Sequence, residues 1–332
     1  MDKTVIVKTP FRISLAGGGT DVSSYCKKYG GTVIGFSINK YIIVTLRTNS
    51  FYQKNEVVIN NTIETFGNDR EIYNKYLREL VHITPLKDFY KMSVLSDVPE
   101  QTGLGGSATF LNSIIYARKL VNQESIAKNK LAELSSQIEI ENLNRSVGKQ
   151  DHYLTTLGGM NLLEFDTNMN TSYKQIFVGK NCREYFKSRL LLFYSNISRS
   201  AGTVLLEQDN KIKNANESTI KLMHEIKDLV NPMYQAILDD NPNKIGPIIA
   251  EHWNKKQQLS SKVVNSRISQ LIDICYKNGA DGCKILGAGG GGFILVSVKE
   301  GYQEQLRKVM KMENIQELEF DIEFNGTVSK TI

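Results

Sequence analysis

The chain has 332 residues, 41% of them hydrophobic and 23% charged; this excludes a disordered or fibrous protein and exceeds what one hydrophobic core usually organises, so two domains are expected. Its 41 basic residues outnumber 35 acidic ones for a formal charge of +6, a mild excess that suits an anionic small-molecule partner. Nucleic acid is argued against because no dense Lys/Arg run carries interleaved aromatics, and membrane insertion because no segment approaches the ~20 apolar residues of a bilayer span.

In chain order, Thr4–Lys8 and Arg12–Leu15 read as short strands around Pro10, interrupted by the glycine run AGGGTD at Ala16–Asp21. Asp21 then lies on a loop, either accepting hydrogen bonds from substrate hydroxyls or capping a helix over Val22–Tyr29. Arg12 is either a phosphate contact or a surface ion-pair partner. Thr32–Ile38 and Tyr41–Arg47 are β-rich runs that Asn39-Lys40 would join as a tight hairpin, with Glu56–Ile59 as an added edge. The segment from Asp69 to His82 is helical in pattern, with its apolar face assigned to core. Tyr90–Leu95 reads as a strand leading into DVPEQTGLGGSATF, whose Gly103, Gly105 and Gly106 precede a helix over Thr109–Leu120. Bare backbone at a helix N-terminus favours an anion, with Ser107 able to reach a metal ion; a Gly/Ser turn with Ser107 as N-cap is the plainer alternative.

Ser125–Arg145 carries the longest helical pattern, with Glu133, Glu139 and Glu141 on it, and most glutamates on such a helix are solvated. Lys149-Gln150-Asp151-His152 opens a short segment ending at Gly158-Gly159, in which Asp151 reads on its own as a helix N-cap and nothing more. After the strand Met160–Phe165, the polar stretches Asp166–Ser172 and Gly179–Glu184 suggest the domain boundary. The second half offers a buried strand at Arg189–Tyr194, the turn SNISRS, helices at about Ser218–Leu238, Pro242–Gln258 and Ser266–Asn278, and Ala280–Leu286 leading to GAGGGG at Gly287–Gly292. Those glycines would weaken a regular element, so they imply close backbone approach; the strand Phe293–Val298 follows at once, then a helix at Gln303–Met312 and a strand at Leu318–Phe324. Cys26, Cys182, Cys275 and Cys283 are widely spaced and read as reduced thiols, and MDKTVIVKTPF has no apolar signal region, which together point to a cytoplasmic protein.

Three motifs in fixed order, PFRISLAGGGTD, VPEQTGLGGSA and KILGAGGGGF, with GKQDHYLTTLGG between the last two, resemble those of the GHMP small-molecule kinase superfamily over essentially the whole chain. The G-x-x-x-x-G-K-[ST] loop is absent, and no dinucleotide fingerprint is present. The resemblance implies an α+β two-domain fold: a mixed α/β ATP-binding domain over residues 1–180, a ferredoxin-like α+β domain over 181–332, and an active site in the cleft between them. It implies ATP and Mg²⁺ as cofactors. Gly103, Leu104, Gly105, Gly106, Ser107 and Ala108 would wrap the phosphates, Ser107 and Glu139 would hold the metal with Glu141 in reserve, and Asp151 would take the transferred proton. Arg12 and Lys149 would balance charge. Gly18, Gly19, Thr20 and Asp21 would grip substrate, with Gly289 and Gly290 supporting them from the second domain.

Galactokinases carry a glutamate-histidine pair where this chain has Gly18 and Gly19, which argues against galactose. AGGGTD, SRSAGTVLLEQ and EHWNKKQQLS are instead similar to the D-glycero-D-manno-heptose 7-phosphate kinase branch, with fucokinase-like enzymes as the alternative. On that resemblance Arg199, Lys255 and Lys256 would meet the sugar 7-phosphate, each otherwise a solvated helix-face cation. Glu100-Gln101 departs from the family loop and brings a negative charge near the expected phosphates, so Glu100 is expected to point away. The expected partners are a small sugar phosphate, no nucleic acid and no membrane, and the expected state is a monomer or homodimer. A regulator that kept the fold but lost catalysis is the different-class alternative, argued against by Ser107, Glu139 and Asp151 standing together.

Overall fold

The computed structural model describes residues 3–198, 201–260 and 263–332. The first part contains β1 (Lys3–Ala16), α1 (Ser23–Tyr29), β2 (Gly31–Thr48), β3 (Asn55–Ile59), β4 (Thr62–Phe66), α2 (Lys75–Ile83), β5 (Tyr90–Ser96), α3 (Gly106–Val121), α4 (Lys128–Gln137), α5 (Gln150–Leu157), β6 (Met160–Phe165) and β7 (Thr171–Ile176). It is followed by α6 (Lys180–Ser188), β8 (Leu190–Tyr194), α7 (Ala201–Lys213), α8 (Glu217–Asp228), α9 (Val230–Leu238), α10 (Ile245–Lys256), α11 (Ser266–Lys277), β9 (Ala280–Ile285), β10 (Phe293–Val298), α12 (Gln303–Met312), β11 (Gln316–Glu317) and β12 (Val328–Thr331).

Two sheets result. The larger runs β12-β1-β2-β5-β3-β4, and β2 is long enough to serve two neighbours on one flank: Ile42–Thr48 pairs with β5 while Gly31–Phe36 pairs with β6, which carries β7. The smaller is antiparallel in the order β11-β8-β10-β9, and with its helices it follows the β-α-β-β-α-β order of ferredoxin-like domains. Helices α3 and α5 pack on β1 and β2, and α10 packs on β9 and reaches β1, so the glycine loops at the strand ends of both sheets meet in one cleft. One apolar core runs through both sheets, with the rings of Phe36 and Phe186 5.4 Å apart across the junction. The two halves are therefore packed as one body.

Several elements differ from the sequence expectation. Residues 3–16 and 31–48 are each one continuous strand: Pro10 opposes Tyr41 and Phe11 opposes Ile38, so Asn39 and Lys40 bulge out of β2 and form no hairpin. The register shift falls at a proline, which has no ladder donor to lose, and Asn39 is held by backbone and side-chain hydrogen bonds to Asp321. Strand β3 lies inside the sheet, parallel to β5, with β4 outside it. The helix expected to Arg145 leaves α-geometry at Ile138, where a π-turn spans Ile138–Asn142. The polar stretch at 179–184 opens α6, because Cys182, Tyr185 and Phe186 give it a buried stripe. Residues 318–324 form no strand beyond one bridge between Ile38 and Ile322; the last strand is β12, paired with Val5–Lys8 of β1. Among the described residues, no helix is long and apolar enough to cross a membrane.

Candidate active site

The cleft has a volume of about 700 Å³ and is lined from the first sheet by the motif residues and from the second by α10 and the Gly287 loop. Gly105, at φ +82°, ends the incoming loop and lets α3 start abruptly. The first amide bonded back along α3 is Thr109 N to Gly105 O at 3.0 Å, which leaves the N–H groups of Gly106, Ser107 and Ala108 without a helical acceptor. Gly103, Gly105, Gly106 and Ser107 line the cleft, whereas the side chains of Leu104 and Ala108 are buried and contribute backbone only. The Leu104 carbonyl accepts from Arg12 N at 3.1 Å, fastening the loop to β1.

The GAGGGG run has the role its composition predicts. A Cβ on Gly103 would lie 2.3 Å from the Leu286 carbonyl, and one on Gly292 would lie 2.3 Å from the Thr102 carbonyl, so the two glycine loops meet backbone to backbone. Phe293 N donates to Thr102 O at 3.0 Å across the same seam.

Arg12 is buried, with three of its five N–H donors engaged. Its Nε and Nη2 each donate to one oxygen of Asp151 at 2.7 Å, and its Nη1 donates to Gly103 O at 2.6 Å. This bidentate fork fixes the carboxylate plane and ties it to the phosphate loop. Asp151 is therefore no N-cap; it stands in the first turn of α5 and faces the cleft. Asp21 is fully buried and accepts from Gln150 N at 2.8 Å, Gln150 Nε2 at 2.9 Å and Gly19 N at 3.2 Å, so it caps the start of α5, and no side-chain cap serves α1. Burial raises its pKa to about 6, with the Gln150 amide opposing and the Asp151 charge adding. Gly148 is needed because any Cβ there would sit 1.9 Å from an Asp21 oxygen.

Glu139 lies in the π-turn with 1% exposure, 3.2 Å from Arg145 Nη1 and 3.1 Å from His152 Nε2, and it accepts from Tyr76 Oη at 3.4 Å. Tyr76 and Arg145 themselves line the cleft, so this carboxylate sits one side chain behind its wall. A network that sequence reasoning missed joins the three helices. Asn112 on α3 donates to His152 O at 3.0 Å and to Thr155 Oγ1 at 2.9 Å, and Ser135 on α4 bonds to Asn112 and lies 2.9 Å from His152 Nδ1. A buried Asn at mid-helix was the available signal, since it requires partners.

Other expected residues fall elsewhere. Lys149 turns its ammonium to Glu133 and the Met169 carbonyl, outside the cleft, because Glu133 on α4 is its nearer counter-charge. Lys255 is held by Glu225 at 2.9 Å and Glu251 at 3.3 Å on the outer face of α10. Its neighbour Lys256 points inward instead, as the 100° step between successive helical residues requires. Thr20 is structural, bonding Gly17 O and Thr32 O, while Gly18 and Gly19 line the cleft. Gly289 lines it too, and Gly290 props the loop through its N–H to Val263 O at 2.7 Å. Arg199 lies outside the described residues. Glu100 is exposed and accepts from Asn60 at 3.2 Å at the rim, and Gln101 takes φ +60°, a left-handed turn position. Lys284, His252 and Gln208, which lie within the quoted motifs but were not singled out in them, also line the cleft.

An amide-rich helix N-terminus beside a guanidinium-oriented carboxylate, closed by a second glycine loop, is the equipment of phosphoryl transfer to a small molecule. Residues 70–159 match the family described as GHMP kinases N terminal domain, and residues 233–313 match GHMP kinases C terminal. The chain belongs to the GHMP kinases, which are ATP-dependent phosphotransferases. It is 31% identical to a D-glycero-alpha-D-manno-heptose 7-phosphate kinase from Campylobacter jejuni over 327 residues, covering 94% of both chains. Among solved structures it is similar to a putative sugar kinase from Campylobacter jejuni (26% identity, TM-score 0.80, 99% and 98% of the two chains covered). It also shares its fold with a D-glycero-D-manno-heptose 1-phosphate kinase from Bacteroides thetaiotaomicron (22% identity, TM-score 0.82, 99% of each chain covered).

Proposed function

We propose that this kinase transfers the γ-phosphoryl group of ATP to the anomeric (C1) hydroxyl of D-glycero-D-manno-heptose 7-phosphate, giving the 1,7-bisphosphate and ADP. The observation that carries the reading is the convergence of Asp21, Asp151 and the α3 N-terminus in one cleft of a chain similar, end to end, to a heptose 7-phosphate kinase. Residues to about 180 are taken as the nucleotide-binding part, with the second sheet closing over it.

The α3 amides and Gly103–Gly106 hold the triphosphate. Asp21, with Gly18 and Gly19 beside it, accepts hydrogen bonds from sugar hydroxyls. Asp151 takes the proton of the attacking hydroxyl as its oxygen bonds to phosphorus and the bond to the ADP oxygen breaks. Arg12 keeps that carboxylate aimed and spreads its charge. Ser107 and Glu139 offer the hydroxyl and carboxylate oxygens a hard cation takes, and one or two such protein ligands beside nucleotide phosphates are enough for Mg²⁺. Glu139 is paired with Arg145 behind the cleft wall, so it would hold a metal only by exchanging that partner. Bound Mg²⁺ would neutralise charge on the transferring group.

The test is ADP release measured with heptose 7-phosphate, fucose, galactose and mevalonate; turnover confined to galactose or fucose would reject the substrate assignment. A pH series adds a second check. Because Asp21 must be ionised to accept hydroxyl donors and titrates at about 6, KM for the sugar is expected to climb as pH falls through 6, with KM for ATP flat. The linked effect on stability has the opposite sense. A carboxyl whose folded pKa is raised favours the fold while protonated, and that contribution is lost as pH rises through 6. A sugar KM constant between pH 5 and 8 would remove Asp21 from substrate binding.

A further inference from the structure

The part of the cleft lined by α10, β9 and Gln208 carries polar groups with hydrogen-bonding capacity that the fold leaves unused. His252 is 1% exposed, lines the cleft, and has no partner for either ring nitrogen; the Gln208 side-chain amide nitrogen is equally orphaned beside it. Lys256, one turn along α10 from His252, is buried and donates one hydrogen to the Gly287 carbonyl, leaving two unused. Lys284 on β9 donates to Ser14 O at 2.9 Å and Leu15 O at 3.0 Å, leaving one. Burying an unpartnered donor is costly, so a group of them facing one space implies a ligand that supplies acceptors.

We propose that His252, Lys256, Lys284 and Gln208 form a second anion subsite, which seats the phosphate already carried by the sugar and leaves the phosphoryl group in transit to the α3 end. The chemistry of the two groups differs. Asp21 and the orphaned Gln150 Oε1 offer acceptors, as sugar hydroxyls require. The α10 side offers donors almost alone, which suits a phosphate, a group that only accepts. Arg12 is turned to Asp151 and Gly103, which take three of its five N–H groups. Burial, then Lys284 and Lys256, hold His252 neutral; burial followed by Arg12 lowers Lys256 to about 8, and burial followed by Lys256 lowers Lys284 well below its ordinary value. A bound dianion would favour the charged form of both ammonium groups, the counter-charge this dry wall lacks.

The assignment rests on a sugar phosphate as substrate, so its test has two independent arms. His252→Ala, Lys256→Met and Gln208→Ala are each expected to raise KM for heptose 7-phosphate roughly ten- to hundredfold, the worth of a hydrogen bond to a charged group, with KM for ATP held. The loss on heptose lacking the phosphate should be much smaller, so the preference for the phosphorylated sugar collapses. Equal losses on both sugars, or a fall in kcat at constant KM, would overturn the proposal by placing these residues at the reacting phosphate. In the second arm, inorganic phosphate is titrated into the wild-type protein while the His252 ring nitrogens are followed by NMR. A saturable shift is expected, and none would overturn the proposal whatever the sugar specificity. Failure of wild-type turnover on heptose 7-phosphate together with a phosphate-dependent His252 shift would reject the substrate and keep the subsite.

Discussion

Replacing Asp151 with Asn is expected to lower kcat by about a hundred- to ten-thousandfold, the usual contribution of a positioned general base, while ATP still binds. The substitution keeps the shape of the side chain but removes its proton affinity and half of the ion pair with Arg12. Arg12 is then left as a buried cation with one remaining strong acceptor, Gly103 O. A moderate loss of stability is expected with the loss of rate, because breaking a buried pair leaves an uncompensated charge. The double variant Asp151→Asn/Arg12→Met should regain stability without regaining rate. Single-turnover ADP formation, nucleotide titration and denaturant melts together test this; a rate within threefold of wild type would remove Asp151 from proton transfer.

Gly103→Ala is expected to destabilise by roughly 2–5 kcal/mol and to weaken nucleotide binding in parallel, combining the strain of a left-handed alanine with overpacking. The residue sits at φ +82°, and its new methyl group would stand 2.3 Å from the Leu286 carbonyl, which is backbone and cannot rotate away. Gly301 supplies the control: its φ is +86°, yet no atom lies within 4 Å of an added Cβ. Gly301→Ala should therefore show the conformational strain alone, roughly 1–2 kcal/mol, with nucleotide affinity intact. Equal denaturation midpoints for the two variants would mean that the contact between the glycine loops adds nothing to the fold.

The contrast between these glycines shows what was legible before the fold. Gly103, Gly105, Gly287 and Gly292 could be read as close-approach positions because clustered glycines weaken any regular element, and their order along the chain carries the family. What they approach was not legible, since a Cβ clash is a property of two segments brought together. The same limit explains Lys149 and Lys255. Each is basic and near a motif, but helix phase and the nearest carboxylate decide where an ammonium goes, and Glu133 and Glu225 are the deciding partners. Asp151 and Arg12 sit 139 positions apart, and only the motif resemblance linked them in advance. Asn39-Lys40 failed as a hairpin because local turn chemistry was read without knowing that one long partner, β1, runs past both sides of it. His252 was not singled out for a related reason: it lies within EHWNKKQQLS, but only its lack of hydrogen-bond partners in the fold sets it apart from its neighbours there.

The return of β12 to β1 bears on how this protein is made. Thr327 and Thr9 share a hydrogen bond at 3.2 Å although 318 positions separate them, and the rungs from Val5 to Lys8 are completed only by residues 328–331. While the ribosome is still extending the chain, the outer margin of the first sheet is an unzipped template, open to pairing with any extended polypeptide nearby. Closing so distant a contact is slow, because the entropy of the intervening chain is lost before the pairing is gained.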